Sequence, residues 1–326
     1  MGLISTMTGW LSPGALGETE RQAIEKIIDR VDPRLRVVSG YQRKLAKAVR
    51  EAIEYCDALV AAIPGPVEVD VKAFGKDPLV HAFFAAPDDI SRMLGTSREV
   101  KKFIAAPENV SGDEIYALIG MRRKEKTVLA PALQGEFVRE GVPQRLLYFA
   151  DHTLRELSLD ADKTRQGLRH SACDSLAASF AVHLDALRSE RVDVHMAWEQ
   201  ERAFARSAAE QAASEAQVHE HRKLEIEESL REMSSSLEPA RVLDALAEWL
   251  SNPEPRLRLV STSVYVDRLG VLTQPVPGNP DVQMLSFPEL VGRDRRHWIV
   301  LLVRIPRDEA VRAQKEYGEA NRYLII

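Results

Sequence analysis

The chain has 326 residues, 45% hydrophobic and 29% charged, with a formal net charge of -5. That length and composition describe about two folded domains, not a disordered or fibrous chain, and the mild negative charge argues against nucleic acid as a partner. No apolar run approaches the roughly 20 residues that span a bilayer, so no stable membrane insertion is expected, and Cys56 and Cys173 stand far apart, which fits a reducing cytoplasm.

Residues 1–17 carry no charge until Glu18 and read as a flexible N-terminal tail. They lack the early positive charge and longer apolar centre of a secretion signal. Residues 18–31 then read as a helix, with Ile24, Ile27, Ile28 and Val31 on one face. A second helix is predicted over 41–63, where Leu45, Val49, Ile53 and Leu59 recur, and Pro64-Gly65-Pro66 ends it. Shorter helices are expected at 78–85, 87–94, 97–105 and 111–122. Ser111 is the expected cap of the last, with Asp113 and Glu114 in its first turn.

Residues 126–138 and 144–150 are rich in Val, Leu, Phe and Tyr, and 139–143 supply turn chemistry, so they read as a β-hairpin. Pro131 predicts a bulge or an edge position in its first strand. There is then no proline between Pro143 and Pro239, and no glycine between Gly167 and Gly270. The Ala-, Glu- and Arg-rich window inside these limits, roughly 160–233, favours helix throughout. As one rod it would extend on the order of 110 Å, so it must pair, project or bend, and a bend is expected near 207–214. Asp160 or Asp162 is the expected cap. Phe180, Leu184, Leu187, Val194 and Trp198 fit a heptad seam and are the expected homo-oligomer interface. From 190 to 238 there are 12 acidic and 6 basic residues, which requires solvated faces.

Ser236 is the expected cap of a short helix over 237–250, followed by the linker Asn252-Pro253-Glu254-Pro255. Strands are predicted at 257–266, 270–273, 283–290 and 297–305, with a turn at 292–294, and a closing helix over 307–323. The unbroken apolar run from Trp298 to Val303 predicts a central strand buried on both faces.

The fold class is therefore α+β and predominantly helical, in five parts: a tail (1–17), a helical domain with a β-hairpin (18–158), a long coiled-coil-like helix or helical hairpin (159–236), a short helix and Pro-rich linker (237–254) and a C-terminal α+β module (255–326). The two β regions can also share one sheet.

Motifs exclude more chemistry than they support. There is no GxxxxGK[ST], GxGxxG, GxSxG or HExxH, so P-loop, dinucleotide, esterase and zincin readings have no support. His170 with Asp174 and His195 with Glu199 have one-face helical spacing, but a solvated ion pair explains each, and no metal or cofactor is expected. Asp151-His152 follows a predicted strand and is the candidate catalytic pair. Arg123 and, beside Trp298, Arg295 and Arg296 are candidate anion- or ligand-binding residues. Two functions follow: a non-catalytic cytoplasmic scaffold that self-associates through the central helix and presents its ends to a protein partner, or an enzyme or small-ligand binder whose site lies between the 126–152 hairpin and the C-terminal sheet.

Overall fold

The computed structural model describes residues 17–134, 137–209, 213–267, 269–274, 282–292 and 296–323. The expected tail (1–17) lies outside the described residues except for Gly17, and the expected turn at 292–294 except for Gly292. In chain order, helix α1 (Glu18–Val31) leads through a 3-10 turn (Pro33–Val37) into α2 (Tyr41–Ala61), and strand β1 (Val67–Glu68) follows. Four short helices come next: α3 (Val71–Phe74), α4 (Pro78–Phe83), α5 (Pro87–Thr96) and α6 (Arg98–Ala105). Asp70, Asp77 and Ser97 accept backbone hydrogen bonds at the starts of α3, α4 and α6.

The helix expected over 111–122 is instead the beginning of strand β2 (Glu114–Gln134). Its start signals are local, whereas Ile115, Ala117, Ile119 and Met121 alternate at period two and are all buried. Burying that alternating face in a sheet outweighs a favourable cap. Strand β3 (Phe137–Ser158) pairs back along β2, and Gln134 faces Phe137, so the hairpin reverses between them and not at 139–143. Gly141 lies inside β3 at φ +70, where the register slips opposite Pro131. The bulge expected there is present.

Helix α7 (Ala161–Ala209) starts at Asp160, whose Oδ1 accepts from the amides of Asp162 (2.8 Å) and Lys163 (3.0 Å). Helices α8 (Ala213–Ser236) and α9 (Pro239–Ser251) follow. Ser236 does not cap α9: its hydroxyl donates back to the Met233 carbonyl, and α9 begins after Glu238 with Pro239 in the first turn. The chain closes with β4 (Leu257–Asp267), β5 (Val282–Gly292), β6 (His297–Pro306) and α10 (Arg307–Tyr323).

Contacts divide the residues into two units, 1–56 with 172–254 and 57–171 with 255–326, each discontinuous in sequence. The first is helical. Its interior takes Ile24 and Ile28 of α1, Leu45 and Val49 of α2, Leu176, Phe180 and Leu184 of α7, and Leu243, Leu246 and Leu250 of α9. Asp32, which ends α1, accepts from the Arg34 amide and guanidinium (both 3.0 Å) and from Arg188 on α7. The long window bends. His219 on α8 is 2.7 Å from Glu201 on α7, and its ring is 5.7 Å from that of Phe204. A continuous helix would hold residues 201 and 219 about 27 Å apart, so α8 returns along α7 as a hairpin.

The second unit holds one six-stranded sheet in the order β3-β2-β6-β5-β4, with β1 parallel to β6 and the other pairings antiparallel. Both β regions of the sequence therefore share it. Central β6 is buried on both faces from Ile299 to Val303, as its apolar run predicts. Residues 270–273 do not form a full strand; they bridge the outer strands. Leu147 donates to the Gly270 carbonyl (2.9 Å), Leu272 to Arg145 (2.8 Å), and Asp267 to Val271 (3.0 Å). The sheet thus curls on itself at that end, around a core shared with Val80, Phe83, Phe84, Ile90 and Leu94 of the short-helix segment and Ala310 and Ala313 of α10.

Candidate functional site

The pair Asp151-His152 does not end a strand. Gly120 faces Thr153 and Arg122 faces Ala150, so Asp151 and His152 together oppose Met121 in a β-bulge, with Asp151 at φ +58. The bulge resets the alternation of β3. Leu147 and Phe149 enter the core before it, and Leu154 after it. His152 is turned to that side as well: its Nε2 lies 2.9 Å from the Phe83 carbonyl, and its ring stacks on Phe84 at 4.6 Å. The carbonyl can only accept, so Nε2 carries the proton. Burial lowers the pKa of His152 and outweighs the raising effects of the Phe83 carbonyl, Asp89 and Asp151, which keeps the ring neutral at neutral pH. Asp151 has other partners, Lys124 at 3.3 Å and Arg122 at 3.7 Å, and Arg122 lies over the Trp298 ring at 5.0 Å. The two residues therefore belong to separate constellations.

Arg123 is brought to a group that the sequence did not single out. Its Nη1 is 3.3 Å from Glu289, a 7% exposed carboxylate that also meets His297 Nδ1 at 3.0 Å. The signal was hairpin register: Val291 faces His297, and Glu289 lies two residues away on the same face. Arg295 lies outside the described residues, and the Arg296 carbonyl accepts from the Gly292 amide (3.4 Å). Among the described residues no group of three or more His, Cys, Asp or Glu could hold a metal ion.

Of the five residues of the expected oligomer seam, Phe180 and Leu184 are buried in the helical unit itself, Phe180 against Trp249 at 5.5 Å. Leu187, Val194 and Trp198 are half-buried on the same helix, with Trp198 between His195 (5.9 Å) and Arg202 (5.1 Å). No helix among the described residues is long and apolar enough to cross a membrane.

A cavity of about 350 Å³ lies at the curled end of the sheet. Phe83 and Phe84 at the end of α4, Leu147 and Phe149 of β3, Val266 of β4 and Leu285 of β5 form its apolar wall, and His81, Asp267 and Gln283 are polar residues of the lining. The wall is fixed by packing, because Phe149 meets Phe83 edge-on at 4.9 Å and Phe287 at 5.6 Å. At the edge, Asp267 Oδ1 accepts from the amides of Leu269 (2.8 Å) and Val271 (2.9 Å), which holds the bridging segment in place. Its volume is at the low end of small-molecule sites, about 300–1,000 Å³, and most lining residues are apolar, with His81, Tyr148, Asp267 and Gln283 adding polar surface. Sequence spacing could not reveal it, because four separate segments supply the lining. In comparisons with protein-family models, curated proteins and solved structures, the chain matches none.

Proposed function

We propose that the sheet-bearing unit binds a small, largely apolar molecule in this cavity and acts without catalysing a reaction on it. One observation carries the reading: a preformed cavity with aromatic and aliphatic walls opens where β3 of the long hairpin meets β4 and β5. Asp151 and His152 take separate partners and neither is in the cavity lining, so the pair that suggested catalysis is not part of this site. Saturation-transfer NMR with indole, a neutral flat probe, tests it on the full chain. Wild type should transfer saturation to indole, and Leu285→Trp, which fills the cavity from its wall, should abolish the transfer while the amide spectrum stays dispersed. Equal transfer to both proteins overturns the proposal.

A second reading is self-association through the central helix. It is favoured by Val182, Val192, Met196 and Phe204 of α7, each more than half exposed. At about 100° per residue they fall within about 120° of arc, opposite Phe180 and Leu184. The occupant of that face is a second copy of the chain, tested by native mass spectrometry of wild type against Met196→Glu.

A further inference from the structure

We infer that the ligand of the cavity is an organic cation, a small amine with an apolar body, and that Asp267 is its counter-charge. The inference rests on the cavity being a ligand site. Its lining, among the described residues, contains one carboxylate and neither lysine nor arginine. Asp267 uses Oδ1 for two backbone amides, and its second oxygen has no partner among the described residues. A carboxylate fixed by its own backbone and left with one free acceptor suits a charged N–H donor.

The walls point the same way. The lining includes the aromatic rings of Phe83, Phe84 and Phe149, a side-chain type that attracts a cation and gives nothing to a carboxylate, although His152 stacks on one face of Phe84. Two cations of the hairpin are engaged elsewhere: Lys126 lies over the Tyr148 ring at 5.7 Å, and Arg145 pairs with Glu125; Arg268, next to Asp267, lies outside the described residues. The Nε2 proton of His152 is given to the Phe83 carbonyl, so it is not offered to an anion. Gln283, the remaining polar residue of the lining near Asp267, carries an amide oxygen that can take a second N–H.

The test compares three probes of one shape on the full-length chain by NMR titration: 2-phenylethylamine, neutral 2-phenylethanol and anionic 3-phenylpropanoate. The amine should bind about tenfold tighter than the alcohol, the usual scale for a charge-assisted hydrogen bond, and the anion weakest. Asp267→Asn keeps the oxygen that the Leu269 and Val271 amides need. It should remove the amine's advantage and leave the alcohol's affinity unchanged. Equal affinities for all three probes in wild type, or an advantage that survives in Asp267→Asn, overturn the assignment while leaving the cavity a ligand site. If no probe binds, the reading of the cavity as a ligand site fails with it. The wild-type comparison stands on its own if the variant does not fold.

Discussion

Asp32 and Arg188 meet across 156 residues of sequence, and they tie the end of α1 to α7 inside the helical unit. Burial raises the Asp32 pKa, but hydrogen bonds from the Arg34 side chain and amide and from Arg188 outweigh it and bring it to about 2. The unfolded value is about 4, so the carboxylate stabilises the fold by about 2 kcal/mol at neutral pH. A depressed folded pKa gives stability that is full above about pH 4 and lost as pH falls toward 2. Asp32→Asn should lower the urea midpoint at pH 7, and the gap from wild type should close by pH 2. A gap independent of pH contradicts the ion-pair account.

His152 provides the opposite chemistry with the same sign. Its folded pKa is lowered by burial, so it titrates below the ordinary value of about 6.5. The stability linked to it is full above about pH 6.5 and declines as pH drops through that value toward the folded one. The ring's ¹³Cε1 shift followed against pH should report a midpoint below 6.5. A midpoint at or above it would mean that the ring is not enclosed.

Gly65 is held at φ +114, and a Cβ there would lie 2.1 Å from the Leu302 carbonyl oxygen. The contact is backbone on backbone, since the Leu302 amide also donates to Pro64 at 2.9 Å. Gly65→Ala should therefore cost about 2 kcal/mol or more, measured by chemical denaturation. An unchanged midpoint would contradict the close approach.

Leu184 and Met196 separate the inner and outer faces of α7. Leu184 is 2% exposed, so Leu184→Ala should destabilise by about 2–5 kcal/mol through an unfilled cavity. Met196 is 59% exposed, so Met196→Glu should leave the melting temperature within about 2 °C and, on the self-association reading, lower the number of chains in the assembly. The reverse pattern would contradict the burial of the seam.

Helix α1 and helix α10 lie at their predicted residues because a stop signal, Asp32-Pro33 in one case and Pro306 in the other, coincides with the pattern boundary. The start of β2 reads as helix in the sequence because Ser111, Asp113 and Glu114 imitate a helix start, whereas the sign of a strand is the alternation beyond them. The hairpin itself was legible, but its reversal was not: Gly141 and Pro143 look like a turn and form part of a strand with a register slip. The bulge at Asp151 leaves no glycine to mark it, so the inward turn of His152 had no sequence signature. The cavity depends on how four segments meet, and that is decided by sheet order. The heptad spacing marks Phe180 and Leu184 as apolar seam positions of an expected oligomer interface, but spacing alone does not say what covers them, and in the fold Phe180 packs on Trp249 of α9.

The cavity of the sheet-bearing unit is proposed to receive a small apolar molecule. Mapping amide shifts during titration with 2-phenylethanol tests it most directly. Saturable changes are expected, concentrated at Phe83, Leu147, Phe149, Gly270 and Leu285. Changes confined to α7 and α8, or none at millimolar probe, would contradict it.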